Sequence, residues 1–296
     1  MSVRERLYHV HLCRGIGRRG IRPLLHHDPT LERLYDLTER DLILDFRFRA
    51  DQAERFLRDL HTVDPFAKKA FYGKQGIQTL TFFDDDYPLP FKHIPDPPWV
   101  LYAMGRLEYL RSEPMLAVVG TRHPSEDGLQ SMARIVKPLV AEGWTIVSGL
   151  AVGVDGFAHR LALASKTVAV LGSGHYHPYP RQNLWLFDKI KAEHVIISEY
   201  PPETPPARHR FPERNRLISG LAFGTLVVEA REKSGSLITA DQALEQGREV
   251  FALPGSILNP NAAGTNALIQ QGAKLVRTAQ DIREEWAARR TAGELT

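Results

Sequence analysis

The sequence has almost none of the features that mark secreted, disulfide-bonded or membrane-spanning proteins. Its 296 residues include one cysteine, Cys13, which excludes an internal disulfide and a multi-cysteine metal site and suits a reducing compartment. The amino-terminal segment MSVRERLYHVHLCRG is too polar for a signal peptide, and no apolar run approaches the length that spans a bilayer. We therefore predict a cytoplasmic location.

The chain also lacks a strong net charge. Its 38 lysines and arginines against 35 acidic residues give a formal charge of +3, which is too small to indicate a nucleic-acid-binding protein by itself. Hydrophobic and charged fractions of 43% and 25% are ordinary for a globular protein, so any basic surface must arise from local placement.

The order of the patterns predicts a small helical domain followed by a larger sheet domain. Residues 1–68 have the pattern of short helices, 69–113 form a turn-rich connector with edge strands at 77–83 and 99–103, and 114–284 form the core. The connector strands extend this core to 77–284, and residues 285–296 form a tail. The segment LCRGIG at 12–17 resembles a helix-hairpin-helix, in which turn amides contact a DNA phosphate. An ordinary helical hairpin stays open as the alternative.

Strand and helix patterns alternate regularly from Pro114 onward. Short apolar runs are each followed by a helical pattern, and Gly143, Gly247 and Gly272 each end a predicted helix just before a strand. The predicted strands are 115–119, 144–147, 167–171, 194–198, 225–229, 249–253 and 274–276. This alternation is typical of a doubly wound, mostly parallel sheet, so we predict an α/β fold with a small amino-terminal helical domain.

Glycine-rich turns follow three of these strands and predict an anion-binding edge. The turns are VVGTR, SGLAVGVD and LGSG. Glycine lets a bulky anion approach the backbone, and the helix that follows supplies N–H donors and positive partial charge. None of the three turns matches GxGxxG and the chain has no GxxxxGK[ST], so this edge has neither a standard dinucleotide fingerprint nor an ATPase phosphate loop.

Three groups of residues suggest a metal site, but each has a simpler explanation. The segment DDDYP at 84–88 is typical of a solvated turn. Asp155 and His159 lie four apart at a helix start, where an aspartate caps the helix or interacts with its dipole. His175 and His177 lie in a loop, where surface polarity is the default. We predict no metal and no cofactor.

Candidate catalytic groups are equally weak. Ser234 and Ser236 lie in a glycine turn without a GxSxG elbow or an evident base. Glu229 has the strand-end position of a general base, yet a buried structural carboxylate paired with an arginine is the better interpretation. The sequence therefore predicts no catalytic residue.

A series of motifs runs through residues 77–282. In order they are GTR, IVSGLAVGVDGFAH, VAVLGSG, YPRQN, ISEYPPETPP, FPERNRLISG, VVEAREKSGSLITA, GREVFALPG and GTNALIQQGAKLV. Their order and spacing resemble the DNA-processing protein DprA (Smf) family. The resemblance implies an extended Rossmann-type domain that binds single-stranded DNA, protects it and promotes RecA loading during natural transformation, without catalytic turnover. It also implies that the amino-terminal helices form a SAM-like or hairpin domain.

Two departures from the family pattern stand out. His175-Tyr176-His177 stands where the family usually has an aspartate, so a contact assigned to that aspartate does not carry over. The sequence also ends soon after Trp286, which leaves no room for the winged-helix domain of some members.

A dense basic segment supports the nucleic-acid interpretation on physical grounds. Residues 208–216 hold four arginines, His209 and one glutamate. Single-strand binders combine a cationic groove with aromatic platforms, because every base has a face that can stack. We predict Tyr179 and Phe211 as platforms. The predicted phosphate ligands are the side chains of Arg122, Lys166, Arg181, Arg214 and Arg216 and backbone groups of Gly120, Thr121, Ser148, Gly149, Gly174 and Gly235. Pairing of Arg214 or Arg216 with Glu199 or Glu229 stays open as the alternative.

An enzyme of the lysine-decarboxylase-like phosphoribohydrolase type is the rival interpretation. FGTLVVEA is similar to part of its PGGxGTxxE motif, but residues 219–225 read SGLAFGT and lack the doubled glycine. Release of a nucleoside or base from a nucleotide would identify such an enzyme.

The carboxyl-terminal part of the core predicts a homodimer. A short helix within 264–272 carries apolar side chains beside uncharged amides, which suits a two-fold contact. The predicted interface consists of Asn266, Ile269, Gln270 and Leu275, and the family resemblance implies dimerisation through a similar segment. The alternative is that Ile269 only completes the core.

Overall fold

The computed structural model describes residues 1–292, which divide into two compact units. The first unit comprises residues 1–87 and 96–103, and the second comprises 88–95 and 104 onward. The sequence placed the boundaries at 68 and 113 instead. Segment 88–95 belongs to the second unit because it packs there, with the Ile94 side chain against Gly220.

The first unit is helical and ends in a strand. Its elements are α1 (Val3–Leu12), α2 (Gly17–His27), α3 (Glu39–Leu44), α4 (Ala50–Thr62), α5 (Pro65–Lys74) and β1 (Ile77–Thr81), with a 3₁₀ turn at Arg33–Asp36. Ser2 and Glu5 form a capping box at α1, which satisfies two backbone N–H groups. In the α1–α2 turn, Gly15 has a φ of +107°, and Arg14 pairs with Asp59 of α4 at 2.8 Å. The DNA contact predicted for this turn stays a prediction.

The second unit alternates strands and helices. It contains α6 (Leu89–Lys92), the end of β2 (Val100–Gly105), β3 (Met115–Val119), α7 (Glu126–Ala141), β4 (Thr145–Ser148), α8 (Val154–Ala162), β5 (Lys166–Leu171), α9 (Leu184–Glu193), β6 (Val195–Ser198), α10 (Arg210–Leu221), β7 (Gly224–Val227), α11 (Gly235–Glu245), β8 (Glu249–Ala252), α12 (Ala263–Gln270), β9 (Lys274–Leu275) and α13 (Ala279–Ala292). Three 3₁₀ turns lie at Leu107–Arg111, Arg181–Asn183 and Pro260–Ala262. Residues 285–292, predicted as a tail, continue α13, and 293–296 of that tail lie outside the described residues.

The sheet of the second unit confirms the predicted α/β, doubly wound architecture. Its strand order is β6-β5-β4-β3-β7-β8-β9, with every neighbouring pair parallel. The chain runs outward from β3 through β4, β5 and β6, and then returns to the other side of β3 to continue through β7, β8 and β9. Such a reversal opens a crevice at the carboxyl ends of the two central strands, here β3 and β7.

Apolar side chains on both faces of the sheet explain the nearly continuous hydrophobic runs of its strands. On one face, Met132, Ile135 and Leu139 of α7 pack against strand residues such as Leu116 and Val118. The aromatic rings of Trp144, Phe223 and Trp286 meet in the same cluster, with the last two centroids 5.1 Å apart. No helix within residues 1–292 combines the length and apolar character needed to cross a membrane.

Candidate nucleic-acid interface

A cavity of about 890 Å³ lies at the carboxyl ends of β3 and β7, where the winding of the sheet reverses. We call it the switch-point cavity. The turns after β3 and β7, the start of α11 and residues of α10 form its walls. Its lining includes Gly120, Thr121, Arg122, His123, Asp155, Tyr179, Arg208, Phe211, Arg214, Asn215, Arg231, Ser234, Gly235, Ser236 and Thr239. The predicted anion-binding edge of the sheet therefore contains a concave site.

Exposed guanidinium groups line this cavity from separate segments. Arg122 follows β3, Arg208 precedes α10 and Arg231 follows β7. Among the described residues, neither Arg122 nor Arg208 makes a hydrogen bond or ion pair, and Arg231 uses only Nε, which donates to Asn261 Oδ1 at 2.9 Å. Cations held in a concave wall without internal partners are available to an anion.

Arg214 supplies a fourth, buried cation at the base of the cavity. Its Nη1 donates to the carbonyl oxygens of Gly149 and Val170, the first at 2.6 Å. Burial lowers the pKa of Arg214 to about 10, while the nearby carboxyl of Asp155 acts in the opposite direction. The guanidinium therefore remains protonated at neutral pH. It occupies the space that a side chain at residue 149 would need, so any residue other than glycine there would have to displace the guanidinium.

Asp155 and His159 have separate partners and do not form a metal pair. Asp155 accepts the Gly149 N–H at 3.2 Å, and burial raises its pKa against the opposing charge of Arg214. His159 Nδ1 lies 2.7 Å from Thr167 Oγ1, whose hydroxyl donates to the Ile146 carbonyl, so the imidazole must donate to Thr167. Burial lowers the pKa of His159 to about 3. Within residues 1–292, no cluster of three histidine, cysteine or acidic side chains could hold a metal.

Two aromatic rings stand at the rim of the cavity. Tyr179 is 44% exposed, and its ring centroid lies 5.4 Å from that of Phe211 at an interplanar angle of 44°. Both rings also border an adjoining hollow of about 80 Å³ that includes Gln182. The phenyl ring of Phe211 lies against Gly172, which leaves no space for a Cβ at that position. The structure thus brings both predicted platforms together with two of the predicted cations, Arg122 and Arg214.

Arg181 lies just beyond this rim. It begins the 3₁₀ turn Arg181–Asn183 and is exposed. Asn183 in the same turn is buried, and its Nδ2 donates to the carbonyl oxygens of Leu150 and Ala151 at 2.9 and 3.0 Å. This bond fixes the segment carrying Tyr179 and Arg181 to the loop after β4. No motif in the sequence marks Asn183 as a residue with this role.

Arg216 does not reach the cavity, which corrects its predicted role. Its guanidinium forms a two-pronged ion pair with Glu199, with Nη2–Oε1 and Nη1–Oε2 distances of 2.6 and 2.9 Å. Both side chains are buried. Because successive helix residues are 100° apart, Arg214 and Arg216 point to different sides of α10. The alternative left open for the two arginines, pairing with Glu199 or Glu229, therefore applies to Arg216.

Lys166 also lies away from the site. It is the first residue of β5 and pairs with Thr145 at the beginning of β4. The amino and carboxyl ends of parallel strands lie at opposite edges of a sheet, so Lys166 is on the edge away from the switch-point cavity. The expectation that it joins Arg122 and Arg214 was wrong.

Most of the predicted backbone ligands already have partners. The N–H groups of Thr121, Gly149 and Gly174 donate to Glu229 O, Asp155 and Thr204 O, respectively. Ser148 is fully buried, and its hydroxyl donates to the Val118 carbonyl. Gly120 and Gly235 do line the cavity. Gly235 begins α11, whose amino terminus directs positive partial charge toward the site.

Glu229 is structural, but its partners are not arginines. Its carboxylate accepts the Ser125 N–H and hydroxyl at 2.8 and 2.6 Å and the Asn259 amide at 3.1 Å. Ser234 likewise has a structural role, since its hydroxyl caps α11 by accepting the Ser236 N–H. His175, expected at the surface, is instead buried, which lowers its pKa to about 4.

The predicted dimer residues lie together at the β9 edge of the sheet. Asn266 bonds within its own chain, to the Gly255 N–H and carbonyl. Ile269 is half-buried, Gln270 is exposed and Leu275 is 38% exposed. Leu268 is buried in the core.

Arg208 and Arg231 are site residues that the sequence analysis left unassigned. Arg231 lies in the turn after β7, as Arg122 lies in the turn after β3, and these neighbouring parallel strands bring both turns to one place. The equivalent positions of Arg122 and Arg231, each in the turn after a strand, can be seen in the sequence and would have predicted Arg231 as a site residue.

The fold and the cavity define a doubly wound, Rossmann-type α/β protein with an open cationic site at its topological switch point. The family model for DNA recombination-mediator protein A matches residues 78–287, and the chain belongs to that family. It is 50% identical over 218 residues to DNA processing protein DprA of Bacillus subtilis, covering 73% of each chain.

Solved structures agree with this assignment. DNA processing protein A from Streptococcus pneumoniae superposes with a TM-score of 0.80 at 38% identity, covering 95% of both chains. The Helicobacter pylori protein, whose structure concerns a single-stranded DNA binding mode, superposes with a TM-score of 0.66 at 30% identity, covering 72% of this chain and 96% of its own.

Proposed function

We propose that this protein binds single-stranded DNA in the switch-point cavity and acts on it as a recombination mediator. One observation carries the proposal: Arg122 and Arg208, which make no hydrogen bond or ion pair among the described residues, share a single concave site with buried Arg214 and with the exposed Tyr179–Phe211 ring pair. Phosphates need cations along the strand and unpaired bases need apolar faces, and the cavity offers both within one surface.

The chemistry of the site favours a nucleic acid strand over a nucleotide substrate. A nucleotide-cleaving enzyme needs a free acid or base, yet Glu229 has three hydrogen bonds to Ser125 and Asn259. Burial also lowers the pKa of His159 and removes it from proton transfer near neutral pH. We therefore propose binding without catalytic turnover and do not favour the phosphoribohydrolase alternative.

Loading of RecA onto the bound strand during natural transformation, in the cytoplasm, is the finer part of the proposal. Its support is membership of the recombination-mediator family and similarity to DNA processing proteins. The similar Helicobacter pylori protein binds single-stranded DNA, which supports the same ligand here.

The test compares single-stranded DNA, duplex DNA and a mononucleotide over a salt series. We expect the single strand to bind most tightly, with log affinity falling by about 0.7 per phosphate contact for each tenfold rise in salt, because bound cations displace condensed counterions. Similar affinity for the mononucleotide, or binding that salt does not weaken, would contradict the proposal.

We further propose a homodimer through Asn266, Ile269, Gln270 and Leu275. The exposed Leu275 and half-buried Ile269, beside uncharged amides at a sheet edge, support a two-fold contact. Ile269→Arg should give a folded monomer that binds long strands more weakly, because two linked sites gain effective concentration. Sedimentation measures the association state. A wild-type monomer at micromolar concentration excludes the dimer, and unfolding of the variant would assign Ile269 to the core.

A further inference from the structure

We propose that Arg181, Trp185 and Lys189 form an outer strip that guides single-stranded DNA away from the switch-point cavity, with Trp185 as a base-stacking platform. The inference rests on the proposed function and adds a second contact region to it. It concerns the surface of α9, which neither the cavity nor the predicted dimer edge includes.

The orientation of α9 directs the Trp185 side chain toward solvent. Leu186, Phe187 and Ile190 pack into a core cluster with Leu171 and Ile196. These three side chains define the buried face, so the helix cannot rotate to cover its opposite face. Trp185 is consequently 49% exposed, a large fraction for the side chain with the greatest apolar area. Folding of the second unit alone does not account for a tryptophan at this position.

Basic side chains lie on both sides of Trp185 along the chain. Arg181 and Lys189 lie four residues before and after it, and both are exposed. Trp185 and Lys189 lie four apart on α9 and therefore on one side of that helix, and Arg181 lies in the 3₁₀ turn that leads directly into α9, so the three exposed side chains follow one another along this segment as a row. Alternation of cation, aromatic ring and cation matches the repeat of phosphate and base in a single strand.

The charged side chains of this row make only weak ion pairs. Lys189 Nζ lies 3.9 Å from Glu193, in a solvent-exposed pair that contributes little energy. Asp188, the acidic side chain closest in sequence to Trp185, already pairs with Lys191 at 3.3 Å. A phosphate can therefore approach Lys189 without displacing a strong partner.

The row is continuous with the cavity. Gln182 and Tyr179 border the hollow beside the switch-point cavity, and Arg181 lies between them in sequence. Asn183 ties the same turn to Leu150 and Ala151, and Ala151 lines the cavity. A strand that leaves past Tyr179 therefore meets Arg181 and then Trp185 on a rigidly held surface.

Tryptophan fluorescence provides a direct test. The chain has four tryptophans, all within the described residues; Trp99 and Trp144 are buried and Trp286 is half-buried. Emission from wild type should be quenched by stacking on Trp185 once an oligonucleotide is long enough to leave the cavity, and less by shorter ones. The Trp185→Phe variant should lose the quenching while keeping most of its affinity.

Binding measurements over a series of poly-dT lengths provide the second readout. Trp185→Ala should weaken binding of long oligonucleotides about five- to tenfold and leave short ones unchanged, since stacking acts only where bases reach the strip. Leu184→Ala is the matched control, because Leu184 is adjacent, 39% exposed and without an aromatic face.

The outcomes separate this proposal from the proposed function. If Trp185→Ala binds short oligonucleotides normally and also keeps the wild-type affinity for long ones, the proposal of an outer strip is wrong. The proposed function of the cavity is then unaffected. A change in sedimentation of Trp185→Ala, with DNA affinity retained, would assign Trp185 to a protein contact and also overturn it. If wild type binds no oligonucleotide, the proposed function itself fails.

Discussion

The two edges of the parallel sheet both carry arginines, but they use them differently. At the amino edge, Arg289 pairs with Glu249 at 3.1 Å, and Arg248 donates to the carbonyl oxygens of Pro90 and Gly220. At the carboxyl edge, Arg122 and Arg208 have no such partners within the described residues. The two arginines at the amino edge thus hold the fold together, whereas Arg122 and Arg208 at the carboxyl edge remain available to a ligand.

This difference shows that the number of cations in a region is a poor guide to function. The amino edge also has a cavity, of about 230 Å³, but Leu89, Phe223 and Trp286 give it largely apolar walls. What distinguishes the carboxyl edge is the combination of open cations, glycine turns and a helix amino terminus at one concave place.

Arg216 provides the largest expected effect, because it lies near the open edge but has a buried partner. Arg216→Ala would leave the Glu199 carboxylate buried without its partner, and we expect a loss of about 3–5 kcal/mol in the free energy of unfolding. Denaturant unfolding measures this loss. Arg122→Ala is the control and should change stability by less than about 0.5 kcal/mol. If Arg216→Ala unfolds like wild type while losing DNA affinity, Arg216 belongs with the open cations.

An intermediate effect concerns two histidines that are enclosed in the second unit. Burial lowers the pKa of His159 to about 3 and of His175 to about 4, below the ordinary value of 6.5 in the unfolded chain. At pH values between the folded and unfolded pKa of each histidine, the unfolded state therefore binds more protons than the folded state. The stabilisation is complete above pH 6.5 and declines as pH falls, by about 2 kcal/mol per histidine at pH 5.

Chemical denaturation at pH 7 and pH 5 measures this loss, and His159→Gln should reduce the pH dependence. Equal stability of wild type at the two pH values would mean that these histidines are solvated rather than enclosed.

The smallest effect compares one lysine and one arginine at opposite edges. Arg122→Ala should weaken single-strand binding about tenfold and reduce the slope of log affinity against log salt by about 0.7, because one phosphate contact is lost. Lys166→Ala should change neither, since Lys166 lies at the start of β5. Fluorescence anisotropy with labelled poly-dT measures both quantities. Equal losses in the two variants would remove the distinction between the edges.

The fold was accessible from the sequence because its local signals agree with one another. Predicted strands at 115–119 and 167–171 match β3 and β5 to within one residue, and Gly143, Gly247 and Gly272 all adopt positive φ. Short apolar runs rich in β-branched residues favour strands buried on both faces, and a glycine that ends a helix marks where the next strand begins. The division into units was less accessible, because segment 88–95 is assigned by tertiary packing.

The site was accessible only in part. Tyr179, Phe211, Arg122 and Arg214 come together as expected because they follow strands or begin a helix at one edge. The error at Lys166 was avoidable, since a residue that precedes a parallel strand must lie at the opposite edge. The pairing of Arg216 with Glu199 depends on helix phase and on a distant residue. Likewise, the sequence does not say which backbone N–H groups are already bonded.

The contact between Gly149 and Arg214 constrains the order in which related sequences can change. Any side chain at 149 would displace the Arg214 guanidinium from its carbonyl partners, so we expect alanine there to be unfavourable together with arginine at 214. Shortening residue 214 first avoids that displacement, although it sacrifices the buried cation. If residue 149 changes first, the intermediate sequence has a side chain at 149 and the Arg214 guanidinium in the same space. We therefore expect epistasis between these positions: a lineage that keeps the arginine keeps the glycine, and one that loses the arginine can accept other residues at 149.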